Sequence, residues 1–407
     1  MYDRNQFSDV ELIDQVVTTG ADLIASRFGG RPELFDIEDL GGTGRATVVR
    51  ARIAPNPFLC NRSVVIKQVP PHATEGTDPA LLREVVAYQF ATSLPPGSRP
   101  GPELLAYDVA KRTLVISDVG EVDTLATALT HASKQDEPEV ALQAYRRLGA
   151  ALGKMHVATA SREQDFNTLL RRMWQKHTGK RDVSTRRDKG IVYAIDLGMR
   201  LFEGEGVAVG EGVKSFAREA GRRITAGYHR AFTPFDIDPD NILMSDSIQF
   251  LDYEWAGYRD AIFDVAGVVA GFPLHVHANR PTPEETEVFV RSWANETKSI
   301  WAKADNPEVM STLMMTAVVG WLALSATVMH FGSAEATLDA DKEGLLTAEL
   351  VISGDAHQYQ DMMTTAGALA ELAGTSNDAR AKDVAEFAAS VHEFATERAA
   401  AARVKNR

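Results

Sequence analysis

Three polar side chains lie close together in the stretch from Phe235 to Ala266, FDIDPDNILMSDSIQFLDYEWAGYRDAIFDVA. Asp236 is a carboxylate able to orient a hydroxyl and take its proton. Asn241 offers an amide oxygen, and Asp252 a second carboxylate at the end of an apolar run, Ile248 to Leu251. Hard oxygen donors of this kind suit Mg²⁺, and Mg²⁺ with a positioned hydroxyl is what phosphoryl transfer asks of a protein. Pro239 stiffens the turn carrying Asp236 and Asn241. An EF-hand loop counted from Asp236 would need Gly at its sixth position and Glu at its twelfth. Asn241 and Ser247 stand there, which excludes that reading. Asp238, Glu254 and Asp260 add acidic groups that could line an acceptor pocket. Asp264, among Phe263, Val265 and Ala266, is expected to be buried and hydrogen-bonded as a brace.

Upstream, Ser63 to Lys67 places a lysine at the end of an apolar strand, and Glu84 follows on a helix. Such a pair can hold α and β phosphates. Gly41 to Gly44 offers two readings. Gly42, Thr43 and Gly44 can cover phosphates with backbone N–H groups, or the glycines serve only a hairpin turn. The loop lacks the Gly-Lys-Ser/Thr ending of a Walker motif.

The elements that must carry these residues follow from periodicity and punctuation. A helix is expected over 8–26, with Ser8 and Glu11 in capping-box spacing. Strands are expected over 33–40, 45–54, 63–70, 103–109 and 112–118, with one helix over 79–91. This is a mostly antiparallel sheet with an inserted helix. Beyond Gly120 the chain reads as mainly helical, interrupted by a strand–turn–strand block at 229–252. The fold class is therefore α+β: an N-terminal nucleotide-binding lobe over 1–119 and a helical C-terminal lobe over 120–407, with the catalytic loop at 234–266. The stretch 161–189 is polar and strongly basic, and its segment 171–189, with Arg171, Arg172, Lys176, Lys180, Arg181, Arg186, Arg187 and Lys189, is read as a solvated loop in preference to a phosphate-seeking flap. His275 and His277 are read as pocket-lining or surface residues.

A net charge of −13 argues against a nucleic-acid binder. One cysteine, Cys60, excludes an internal disulfide. The first residues lack a charged-then-apolar leader, so a cytoplasmic protein is expected. The uncharged run 309–334 is long enough to cross a bilayer. It carries several Ser and Thr and has balanced flanks, and is read as a buried helix, with no membrane partner.

Together these pieces resemble the aminoglycoside phosphotransferase and choline kinase superfamily, which has a protein-kinase-like fold. The resemblance covers roughly residues 30–275 in order and is strongest over 229–266. It implies that Asp236 is the catalytic carboxylate, that Asn241 and Asp252 hold the metal, and that Asp264 is structural. It further implies that Lys67 binds nucleotide phosphates with Glu84 as its partner, and that adenine meets main-chain groups near Ser117 and Val119. The implied cofactors are ATP (or GTP) and Mg²⁺. The implied activity is phosphate transfer to a hydroxyl of a small acceptor, with an amino sugar, aminoglycoside or choline-like alcohol as candidates. The alternative is a catalytically weak pseudokinase acting as a nucleotide-binding or regulatory partner. Two departures bear on the acceptor. The family's His-Gly before the catalytic Asp is Pro234-Phe235 here, and its second His, two residues after that Asp, is Asp238.

Overall fold

The computed structural model describes residues 9–41, 46–70, 78–179, 186–275, 280–343 and 351–405. Ser8, Gly42, Thr43, Gly44, Lys180, Arg181 and His277 lie outside the described residues. In chain order the elements are α1 (Asp9–Phe28), β1 (Leu34–Asp39), β2 (Thr47–Ile53), β3 (Ser63–Gln68), α2 (Pro79–Thr92), β4 (Leu104–Asp108), β5 (Thr113–Ser117), α3 (Leu125–Gln135), α4 (Pro138–Thr159), α5 (Glu163–Thr178), α6 (Arg186–Gly204), α7 (Glu211–Ala226) and β6 (Arg230–Thr233). Then follow β7 (Ile242–Leu243), β8 (Gln249–Phe250), β9 (Gly257–Asp260), α8 (Ile262–Val269), α9 (Pro283–Thr297), α10 (Pro307–Phe331), α11 (Ala334–Lys342), α12 (Ala356–Gly374) and α13 (Ala381–Lys405). The architecture is α+β, a small antiparallel sheet followed by a mainly helical remainder. The chain divides into two compact units. One holds 1–123, 164–183 and 243–256; the other holds 124–163, 184–242 and 257–407.

In the first unit five antiparallel strands lie in the order β1-β2-β3-β5-β4. Alternation in β3 sends Val64 and Ile66 to a core shared with Val16 and Ile24 of α1, Val49 and Ala51 of β2, and Val115 of β5. Lys67 therefore emerges on the opposite face, where α2 runs. Asp78 caps α2 by accepting from the Ala80 N–H at 2.8 Å, with Pro79 in the first turn. The same unit holds most of α5, which corrects the loop expected over 171–189. Phe166, Leu170, Met173 and Trp174 form a buried stripe at helical spacing, while Arg171, Arg172 and Lys176 face solvent. The density of charge hid an amphipathic period. Farther on, Arg186 and Arg187 start α6 and pair with Asp339 and Glu335 of α11, so they are no part of a flap.

In the second unit α10 is the central helix. In its most apolar window 89% of residues are buried, in line with the buried helix read from its composition. Gly198 of α6 lets the helices cross closely: a Cβ there would lie 2.0 Å from the Ala323 carbonyl oxygen. A methyl group has no room against the Ala323 backbone. Gly198→Ala is expected to destabilise the protein by about 1–3 kcal/mol in denaturant unfolding. Gly374→Ala, in open space at the end of α12, should change stability by less than about 1 kcal/mol.

Candidate active site

The first unit brings together three residues from distant parts of the chain. Nζ of Lys67 donates to Oε1 of Glu84 at 2.8 Å and lies 3.1 Å from Oδ1 of Asp252. Glu84 is 2% exposed, Lys67 16% and Asp252 34%. Asp252 owes its place to α2 as much as to its own strand. Arg83 on that helix donates to the Ala256 carbonyl at 2.9 Å, and Tyr88 packs edge-on against Tyr253 at 4.9 Å between ring centroids. The backbone at Asp252 is left-handed, with φ of 55°. Burial pushes the Glu84 carboxyl up to about 7; the Lys67 charge opposes this, while Asp252 and Glu254 add to it. Burial disfavours the Lys67 ammonium, but Glu84 and Asp252 outweigh it and raise its pKa. One cation thus serves two neighbouring carboxylates, Glu84 and Asp252. Oδ1 of Asp252 is buried without an aligned hydrogen bond despite the ion pair.

The segment expected to meet adenine is also held. Arg50 of β2 pairs with Asp118 at 3.2 Å and donates to the Gly120 carbonyl at 3.0 Å. The Ser117 N–H, however, donates to the Glu103 carbonyl at 2.9 Å, so pairing with the neighbouring strand already uses it. Among the described residues the main chain of Val119 has no such partner.

The second unit holds the turn. Asp238 caps a 3₁₀ turn at Pro239–Asn241, accepting from the Asp240 N–H at 2.8 Å. The Asn241 side chain is half-buried and hydrogen-bonds to no other described residue. Phe235 has φ of 68°, a conformation that favours glycine. Its ring compensates by packing 4.7 Å from Trp321 and 5.9 Å from Phe263, with the Arg259 guanidinium 4.5 Å above it. Asp264 is fully buried on α8 and lies 3.1 Å from Nε2 of His156. Trp293 donates to Nδ1 of His156 at 2.9 Å, which puts the imidazole proton on Nε2, facing Asp264. Burial raises the Asp264 carboxyl; His156, Arg259 and the Phe235 backbone N–H oppose this without cancelling it. Sequence reasoning foresaw a buried, bonded Asp264 but not His156 or Arg259. Their local signal is weak, since Lys154 stands near His156 and Asp260 follows Arg259.

Asp260, read as one of the acidic groups of an acceptor mouth, is instead wholly buried. It pairs with Arg223 at 2.7 Å and lies 3.4 Å from Nδ1 of His229. Burial alone would raise its pKa, but these partners hold it below the ordinary range. Glu254, in the first unit, bears on Glu84. His275, read as a pocket or surface residue, is 15% exposed, with Nε2 at 2.8 Å from Asp236 and Nδ1 at 2.9 Å from Asp238. Burial lowers its pKa, yet the two aspartates override burial and raise it to about 10.

No protein-family model and no curated protein matches the chain. Among solved structures it is similar to choline kinase from Cryptosporidium parvum Iowa II, at 11% identity and a TM-score of 0.46, covering 82% of this chain and 98% of that one. It is also similar to choline kinase LicA from Streptococcus pneumoniae, at 13% identity and a TM-score of 0.45, covering 88% and 99%. A structure of LicA in complex with AMP matches at 14% identity and a TM-score of 0.43, covering 87% and 98%. What the chain can do chemically is carried by its own side chains.

Two outcomes follow from this geometry. Phe235→Gly relieves a strained backbone worth about 1–3 kcal/mol but removes ring packing worth about 3–5 kcal/mol. Net destabilisation of about 1–3 kcal/mol is expected in denaturant unfolding. His275 has its folded pKa raised above the ordinary 6.5. Its contribution to stability is complete below pH 6.5 and is lost as pH rises through about 10. The thermal midpoint should fall between pH 7 and 10, and fall less in His275→Gln.

Proposed function

We propose that this chain is an ATP- and Mg²⁺-dependent small-molecule kinase that transfers the γ-phosphate to an acceptor hydroxyl. The observation that carries the reading is Lys67 shared between Glu84 and Asp252. A fold has little reason to set two carboxylates on one ammonium, since their repulsion is costly without a further cation. The buried, unaligned Oδ1 of Asp252 is a hard oxygen donor of the kind Mg²⁺ takes. The amide oxygen of Asn241, in the second unit, is likewise a hard oxygen donor. Among the described residues no three His, Cys, Asp or Glu side chains form a metal group. That accords with Mg²⁺, which takes one or two protein ligands and completes its shell with phosphates and water.

In this reading Lys67 grips phosphate oxygens, and Glu84 keeps its ammonium aimed. Asp252, and Asn241 as the resemblance implies, would hold Mg²⁺, which would supply charge neutralisation at the phosphates. Val119 is left to bond adenine through its main chain. Asp236 orients the acceptor hydroxyl and receives its proton. Asp264 steadies the turn through the Phe235 backbone. The acceptor is a small alcohol. With Asp260 internally paired and Asp238 facing His275, the case for an amine-bearing acceptor rests on the exposed Asp240.

ADP release from Mg²⁺-ATP, screened over amino sugars, amino alcohols, nucleosides and antibiotics, tests the reading. With the responding acceptor, Asp236→Asn should lower turnover by about 10²–10⁴-fold and leave Mg²⁺-ATP affinity within about threefold. Near-full turnover in Asp236→Asn would show that the carboxylate has another role.

A further inference from the structure

His275 is held where an ordinary surface histidine would not be. Nε2 lies 2.8 Å from Oδ1 of Asp236, and Nδ1 lies 2.9 Å from Oδ2 of Asp238. Both carboxylates are acceptors, so a ring satisfied on both sides must donate from both nitrogens, and only the imidazolium does that. The pKa raised to about 10 agrees.

The backbone that delivers the ring is strained. Phe272 and Leu274 have φ of 60° and 74°, next to Gly271 at 88°. A non-glycine residue in this region costs about 1–3 kcal/mol and persists only where its surroundings enforce it. The enforcement is visible. Phe272 N–H donates to the Gly267 carbonyl at 2.8 Å, and Leu274 N–H donates to Oδ2 of Asp361 on α12 at 2.9 Å. Asp361 is 8% exposed, and burial pushes its carboxyl up to about 7, opposed by the Leu274 N–H and by His275. The groups facing the imidazolium are therefore Asp236 and Asp238 in the turn and Asp361 on α12.

Asp238 has no oxygen to spare. Oδ1 caps the Asp240 N–H while Oδ2 faces the ring. Asp236 is used on one side only: its Oδ2 has no hydrogen-bond partner among the described residues, and its side chain is 27% exposed.

Resting on the phosphotransfer reading above, we propose that His275 is the positioning residue of Asp236. It fixes one carboxylate oxygen and anchors to Asp238, so that Oδ2 alone is presented to the acceptor hydroxyl. The ring takes no proton from the acceptor. Its role is to remove the rotational freedom of the carboxylate, and misplacement of a reacting group by about 1 Å can cost about 10²-fold.

The test uses the full-length protein, Mg²⁺-ATP, and either water or the acceptor found by screening. His275→Ala should lower kcat for ADP release by about 10–100-fold and leave KM for ATP within about twofold. Added imidazole should restore part of kcat. His275→Gln, which keeps one donor, should fall between His275→Ala and wild type. In wild-type protein the His275 ring should remain protonated by NMR above pH 8, and Asp236→Asn should lower its pKa. Unchanged kcat in His275→Ala, or an ordinary imidazole titration in wild type, overturns the positioning role alone. So does a fall in kcat that matches a fall in Tm and resists imidazole. Wild-type protein that binds ATP yet releases no ADP with any acceptor defeats the phosphotransfer reading itself, whatever His275 does.

Discussion

One buried ammonium sets the terms for the first unit. Lys67 must leave β3 on the face away from α1, and the alternation of Val64 and Ile66 ensures that it does. It then needs Glu84 on α2 at hydrogen-bond distance, and α2 is fixed by its Asp78 cap and its aromatic contact with Tyr253. Asp252 arrives through that same contact surface. The pair alone would be a buried ion pair, whose attraction roughly offsets its desolvation. With Asp252 added, two carboxylates share the one ammonium.

The second unit is organised around a backbone conformation instead of a charge. Phe235 occupies a left-handed position and is retained because its ring fills the space against Trp321, Phe263 and the Arg259 guanidinium. Below it, Trp293, His156 and Asp264 form a directional chain of hydrogen bonds that ends at the turn. Arg259 is itself held by Asp188 at 2.7 Å. Asp236 thus stands on a support built from α4, α8, α9 and β9, and the ring at the left-handed Phe235 is held by packing from α10.

Much of this was legible in the residues. The five strands, the inserted helix and the Lys67–Glu84 pair followed from apolar alternation and from a lysine at a strand end. Asp264 declared itself by sitting among apolar neighbours. Other features were hidden for definable reasons. In α5 the basic residues masked the stripe of Phe166, Leu170, Met173 and Trp174. The partners of Asp260, Arg223 and His229, lie far away in sequence, and nothing local distinguishes a buried aspartate so paired from one at a pocket rim. His275 depends on two positive φ angles and a carboxylate from α12, which no short-range pattern reveals.

The proposed role of the carboxylates on Lys67 is to hold a cation on a nucleotide. Calorimetric titration of ATP into the protein, with Mg²⁺ and with EDTA, tests it most directly in wild type and Asp252→Asn. The account predicts binding that strengthens with Mg²⁺ in wild type, by at least about tenfold (about 1.4 kcal/mol), and loses that dependence in Asp252→Asn. Binding indifferent to Mg²⁺, or a Mg²⁺ dependence that survives Asp252→Asn unchanged, would contradict it.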